Sequence, residues 1–163
     1  MPARFYLSME GEKQGLIEGE CRRKGFEGWI ECLGYQHEVS SPRDPHTGQA
    51  TGHRQHHLLT ITKEFDAATP MLFQALVTNE LIKKVTIKWY RPSTTTGIEE
   101  HFFTVALETA FIASVKPWVP NVLDPLFKSY TNMEDVSFVY GTINWTHEIA
   151  AKASTDDWLT PAA

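Results

Sequence analysis

Large apolar residues alternate with polar ones in stretch after stretch of this chain, and that limits it to a fold built mainly from β-strands. From Lys84 to Tyr90, Val85, Ile87 and Trp89 face one way and Thr86, Lys88 and Tyr90 the other. This is the two-residue period of a pleated strand with one buried face. Phe5, Leu7 and Met9 alternate in the same way with Arg4, Tyr6 and Ser8. Trp29 to Tyr35 and Leu58 to Lys63 read as two more strands. Val136, Phe138 and Tyr140 share one face of another, and Ile143, Trp145 and His147 one face of the next. β-Branched and aromatic residues dominate all of these, as half-buried pleated surfaces favour. Gly11 and Gly15 bracket a turn, and Thr94, Thr95, Thr96 and Gly97 read as a hairpin turn. Glu100 to Lys116 is too long for an ordinary strand and is expected to bend or break near Ala110.

One segment departs from this period. F-D-A-A-T-P-M-L-F-Q-A-L-V-T-N-E predicts a single helix over about residues 67–79. Asp66 or Thr69 can cap its first free N–H groups. Pro70 suits the first turn, where its missing N–H costs nothing, and Asn79 is a natural stop. Leu72, Phe73, Leu76 and Val77 recur at helical spacing and are expected to pack as one stripe against the open side of the sheets. The fold class is therefore mostly β, a barrel or sandwich of two antiparallel sheets with one flanking α-helix. Residues 1–163 are expected to form a single domain. From about residue 150 the chain is polar and is expected to be partly mobile, except that Trp158 is expected to dock on its own domain or a neighbour.

Set among these strands is S-S-P-R-D-P-H-T-G-Q-A-T-G-H-R-Q-H-H, from Ser40 to His57. Structureless connections of this length are uncommon in compact domains, and they either bind something or are disordered. The rest of the composition narrows what they could bind. With 163 residues, 42% of them hydrophobic and 21% charged, the chain can bury one core. A formal net charge of −5 argues against a nucleic-acid partner, whose phosphates demand a basic face. No segment approaches the roughly 18 apolar residues of a membrane span, so no membrane partner is expected. M-P-A-R-F-Y-L-S-M-E-G lacks the apolar core of a cleaved signal peptide, which predicts a chain that stays in the cytoplasm unless another machine exports it. Cys21 and Cys32 read as two free thiols.

A search for chemistry finds no catalytic constellation. His46, His53, His56 and His57 cluster, but no H-E-x-x-H, C-x-x-C or carboxylate pair accompanies them, so surface or interface histidines are expected rather than a metal site. There is no G-x-S-x-G elbow, and G-Q-A-T-G-H-R lacks the Lys-Ser/Thr ending of a phosphate loop. Glu10, Glu12, Glu99, Glu100, Asp156 and Asp157 could serve a glycosidase, yet each reads more simply as a solvated turn or tail residue. Trp29, Trp89, Trp118, Trp145 and Trp158 could form a ligand platform, although core packing is the simpler expectation for those inside strands. No cofactor is expected. The pattern favours assembly over catalysis, with a small-ligand or carbohydrate-binding β-barrel as the alternative.

Six stretches in register then carry a resemblance. They are G-Q-A-T-G-H-R-Q-H-H-L-L-T-I-T-K, D-A-A-T-P-M-L-F-Q-A-L, V-T-I-K-W-Y-R-P, E-H-F-F-T-V-A-L-E-T-A, E-D-V-S-F-V-Y-G-T-I-N-W-T-H-E, and D-D-W. Together they resemble the Hcp (haemolysin-coregulated) proteins of bacterial type VI secretion systems, with W-Y-R and D-D-W pointing to the enterobacterial-type branch. The resemblance implies a β-barrel of two sheets with a helix on its flank and no enzymatic activity. It implies hexameric rings that stack into a tube inside a contractile sheath on a baseplate. That tube would be tipped by a VgrG-type spike, expelled without a signal peptide, and would carry small effectors in its lumen. In such a subunit the Ser40–His57 loop would bridge to the next copy. Arg43, Asp44, Thr47, Gly48, Thr51, His53 and Arg54 are the residues expected to act in that assembly loop.

Overall fold

The computed structural model describes residues 3–158. Eleven strands and one α-helix follow in the order β1 (Phe5–Gly11), β2 (Gly15–Leu16), β3 (Ile30–Gln36), β4 (Val39–Ser40), β5 (Gln55–His56), β6 (Leu59–Glu64), α1 (Thr69–Val77), β7 (Ile82–Pro92), β8 (Glu99–Trp118), β9 (Met133–Val139), β10 (Thr142–His147) and β11 (Lys152–Asp157). The main sheet runs β11-β10-β8-β7-β1-β3-β6-β9, with β2 paired to β1. A further pairing of β9 with β8 closes six of these strands into a barrel, which removes the free edges from that part of the sheet.

Closure depends on β8. Its first half pairs with β7 on one side and β10 on the other, and its second half, from Phe111 to Trp118, pairs with β9. Between the halves, Thr109 takes φ of +54°, the left-handed region that a β-branched residue rarely enters. The Gly141 N–H donates to both the Glu108 and Thr109 carbonyls at 3.1 Å. The bend expected near Ala110 falls at this residue, past which β8 leaves β10 and joins β9.

The alternating residues fill the barrel. Leu7, Met9, Ile30, Ile61, Val85, Ile87, Leu107, Val136, Phe138 and Ile143 are all buried in one cluster. Tyr6 also proves buried, on the outer face, because the loop before β3 folds over it. Tyr6, Cys21 and Phe26 form a second cluster with Trp29 and Tyr90 against it. The Arg23 guanidinium lies over the Tyr6 and Tyr90 rings and pairs with Glu99. Cys21 and Cys32 are free and buried, and burial pushes the Cys32 thiol pKa far above its ordinary value.

The helix starts two residues later than its sequence suggests and ends two earlier, at Val77. Ala68 is the cap residue and has no side-chain bond of its own. The Asp66 carboxylate instead accepts from the Ala68 N–H at 2.9 Å. Asn79, at φ +53°, ends the helical turn. Leu72 and Ala75 are buried, Met71 and Leu76 pack beside them, and Phe73 is half-buried. Val77 must be removed from the expected packing stripe, since it is 75% exposed. At 100° per residue the buried face runs through 68, 72 and 75, and Val77, two residues past Ala75, falls on the opposite side of the helix.

Below the helix lies a fully buried ion pair. Lys63 on β6 stands opposite Glu134 on β9 in register, and its ammonium contacts the Glu134 carboxylate. The same Nζ reaches Asp66 Oδ1 at 2.9 Å and the Glu64 carbonyl at 2.8 Å. The Thr69 hydroxyl donates to Glu134 Oε1 at 2.9 Å. One buried cation thus ties two barrel strands to the start of α1. Removing one member of such a cluster strands the others in a low-dielectric interior, which costs about 3–5 kcal/mol. Lys63→Met is expected to lower the urea midpoint by a corresponding amount, and Lys63→Met with Glu134→Leu to recover much of it. Equal loss in both variants would show that the pair does not carry this role.

Candidate functional site

The Ser40–His57 stretch is not a structureless loop. Val39–Ser40 pairs with Gln55–His56, and Arg43 bridges to Ala50 beyond them. The segment is thus a narrow β-hairpin arm leaving the barrel between β3 and β6. Its tip is built by the residues singled out from the sequence. The Asp44 N–H donates to the Gln49 carbonyl, and the Gly48 N–H to the Asp44 carbonyl, both at 2.8 Å. The Asp44 side chain accepts from the His46 N–H at 2.7 Å, an Asx turn. Gly48, at φ +72°, supplies the left-handed residue the turn requires. Arg43 donates to the Gly48 carbonyl at 3.0 Å, the Thr47 hydroxyl accepts from the Gln49 N–H, and the Thr51 N–H donates to the Pro42 carbonyl. His53 is exposed.

The base of the arm is strapped to the far end of the chain. Arg54 grips Asp156 on β11 through two bonds, Nε to Oδ2 at 2.6 Å and a terminal nitrogen to Oδ1 at 2.9 Å, the bidentate geometry of a strong pair. Another of its N–H groups donates to the Asp157 carbonyl at 3.0 Å. Arg54, expected to reach a neighbour, is thus engaged by its own barrel. His56 has an almost fully buried side chain. Its Nε2 lies 2.7 Å from Asp156 Oδ2, and its Nδ1 2.7 Å from the Tyr140 hydroxyl. His37 Nε2 meets the same hydroxyl at 2.7 Å. An ionised Asp156, with both imidazoles neutral, fixes the donor directions. His56 Nε2–H donates to the carboxylate, the Tyr140 hydroxyl donates to His56 Nδ1, and His37 Nε2–H donates to the Tyr140 oxygen.

Several expectations change here. Residues 152–157 are not a mobile tail but strand β11, paired along its whole length with β10. Asp156 is not a solvated tail carboxylate but the anchor of the arm. Glu99 and Glu100 are likewise engaged, by Arg23 and Arg91. Trp158 does dock on its own chain, donating from its indole to the Tyr140 carbonyl. Trp89 and Trp145 pack only partly on the core. With Tyr35, His37, Phe102, Phe103 and Val105 they line an open apolar groove of about 440 Å³ at the barrel end from which the arm leaves. His37, Tyr140 and Asp156 were not linked by the sequence, because about 100 residues separate the arm from its anchors. The only signal was that H-R-Q-H-H and D-D-W both stood out as motifs.

The geometry defines a class: an all-β barrel protein that holds out a shaped hairpin arm and leaves the outer edge of β11 without a strand partner among the described residues. Comparison with known proteins names the family. The model of the family described as "Type VI secretion system effector, Hcp" matches residues 6–147. The "Major exported protein" of Pseudomonas aeruginosa is 42% identical over 167 residues, covering 97% of this chain and 96% of that protein. A crystal structure of an Hcp protein superposes with a TM-score of 0.87 at 30% identity, covering 96% of this chain and all of that one. The secreted protein Hcp3 of Pseudomonas aeruginosa superposes at 0.79 with 35% identity, covering 96% of this chain and 99% of that one. The chain belongs to the Hcp family of type VI secretion proteins, whose members are structural tube and exported proteins rather than a family of enzymes. No helix among the described residues is long and apolar enough to cross a membrane.

The arm strap carries a sign-defined pH dependence. The Arg54 and His56 side chains hold the Asp156 pKa below its ordinary value, so this contribution is present at neutral pH and is lost as pH falls through that lowered value. Burial, with His56 and His57 nearby, lowers the His37 pKa. Below the usual imidazole value of about 6.5 the unfolded or opened state therefore binds more protons than the closed one, and the strap weakens as pH falls. Amide hydrogen exchange over residues 39–57 is expected to be faster at pH 5 than at pH 7.5 relative to the barrel strands, after correction for the intrinsic rate. Asp156→Asn is expected to raise exchange there already at pH 7.5. Equal protection at both pH values would contradict this account.

Proposed function

We propose that residues 1–163 act as one unit, the subunit of a type VI secretion inner tube. Six copies form a ring, rings stack into a tube within a contractile sheath above a baseplate, and contraction expels the tube behind a VgrG-type spike. Small effector proteins travel in the lumen. The chain folds in the cytoplasm and leaves through this machine, with no chemistry of its own. The observation that carries the reading is the arm. A hairpin whose tip is shaped by its own turn bonds, and whose base is strapped by Arg54 and His56, is preorganised to touch another molecule at little entropic cost. Family membership supports a partner that is another copy. A subunit with an arm on one side and a bare strand edge on another suits head-to-tail contacts, which close a ring or extend a stack.

The aromatic groove favours a second reading, a small-ligand or carbohydrate-binding module, through its half-buried tryptophans. Electron microscopy of the purified full chain separates the two. Hollow six-fold rings are expected, whereas a uniform monomer at high concentration, with tryptophan fluorescence quenched by sugars, would favour the binding module. Deleting Pro45 to Gly52 is expected to leave a folded barrel that forms rings but stacks them poorly. If the shortened chain still builds tubes and supports secretion normally, the arm does not have this role.

A further inference from the structure

Between β8 and β9 the chain makes an excursion, V-P-N-V-L-D-P-L-F-K-S-Y-T, that hides almost none of its apolar side chains. Val122 is 80%, Leu123 87% and Leu126 82% exposed. This is the opposite of what a solvated loop does, since contiguous bare aliphatic groups mark a contact surface. The excursion is also held in one shape. The Asp124 carboxylate accepts from the Leu126 N–H at 3.0 Å, starting a short 3-10 turn at Pro125–Phe127. Asn121 Oδ1 accepts from the Leu123 N–H at 3.1 Å. Phe127 packs edge-on to Tyr130, and Tyr130 leans on Trp118. Pro120 and Pro125 fix φ and remove two N–H donors, which disfavours binding by adding a strand. It is a rigid apolar knob in which only Asp124 and Lys128 are charged.

The strand pairings put this knob and the aromatic groove at opposite ends of the barrel. β6 begins beside the end of β3, where Thr60 pairs with Gln36. That is the end that carries the arm and the groove residues Tyr35 and His37. β6 finishes at Glu64 opposite Met133, and Met133 pairs with Trp118, the two residues between which the knob is strung. One end of the molecule therefore presents an apolar knob, and the other an apolar hollow of about 440 Å³, room for several aliphatic side chains. His37, which lines the hollow, also bonds the Tyr140 hydroxyl that helps hold the arm, so groove and arm form one continuous surface.

We propose that the knob of one copy seats in the aromatic groove of the next, and that this joint, beside the arm, holds stacked rings together. The occupant is a second copy because one chain carries both halves of the match at opposite ends, the condition for a head-to-tail contact that propagates. A lipid surface does not fit, because the knob offers a single lysine among its bare aliphatic groups and no basic cluster to meet anionic headgroups. Each joint is small, and repetition around a ring makes the sum strong. This inference rests on the tube-subunit reading above.

Two full-length variants test it. The knob variant carries Leu123→Asp with Leu126→Asp, and the groove variant carries Phe102→Glu, or Tyr35→Glu if circular dichroism shows that Phe102→Glu unfolds. By electron microscopy and sedimentation, each alone is expected to give intact rings with loss of stacking at concentrations where unmodified rings stack. Mixed, they are expected to give ring pairs and nothing longer, because the knob of the groove variant can enter the groove of the knob variant once. Stacking by either variant alone, failure of the mixture to pair, or unmodified rings that never stack would overturn the joint. Absence of rings from the unmodified protein would instead overturn the tube-subunit reading itself.

Discussion

The fold turns on a single long strand that has to serve two sheets. A twisted sheet of this size exposes unpaired N–H and C=O groups at its ends unless it closes. β8 provides the closure by pairing with β7 and β10 along its first half and with β9 from Phe111 on. Three features of the outline hang from its two ends and its middle. The turn before it brings Glu99 to Arg23, and β10 pairs along it only as far as Glu108. The far end of β8 launches the apolar excursion toward β9. A residue in the left-handed region costs of order 1–3 kcal/mol, and barrel closure is what offsets that cost.

Two electrostatic clusters divide the remaining work. Lys63, Glu134, Asp66 and Thr69 act out of reach of water and join β6, β9 and the start of α1. Arg54, His56, Asp156, Tyr140 and His37 act at the boundary with solvent and join the arm to the last strand. Burial decides the difference between them. A fully enclosed pair is costly to break and gains little from being rearranged. A half-exposed cluster in which burial lowers the His37 pKa responds to protons within the accessible range. The barrel is thereby fixed while its arm remains adjustable.

Much of this was legible in the sequence. The alternation at Val85, Ile87 and Trp89, the bend near Ala110, the Thr94–Gly97 turn and the single helix all express local periods and turn chemistry, and local signals survive without knowledge of partners. The arm residues Asp44 and Gly48 also form a turn of the kind their residue types suggest. The failures share one cause. Val77 looked like packing because the stripe was counted without knowing that Ala75 could lie closest to the barrel. The D-D-W stretch looked like a solvated tail because an edge strand of Lys, Ser, Thr and Asp has no apolar period to betray it. Lys63 and Glu134 carried no sign of burial, since a charge reveals its position only through a partner some 70 residues away. Pairings across the barrel are properties of the closed sheet and have no local signature.

The pairing order also sets a schedule for folding as the chain is made. β6 and the second half of β8 both wait for β9, Met133–Val139, as their shared neighbour. Until that strand leaves the ribosome, the edges of β6 and β8 and the Lys63 ammonium lack the partners that β9 supplies. β7 and the first half of β8 form a hairpin of adjacent strands and can pair early, whereas β8 with β9 must close the excursion between them and β6 with β9 closes a far larger loop, which slows its formation. The nascent chain therefore passes through an open sheet of nearly full width before residue 139 arrives, a state prone to join edges with other chains. A protein produced in the numbers that a tube requires would be most vulnerable to aggregation in that interval, and least so once the last barrel strand has entered.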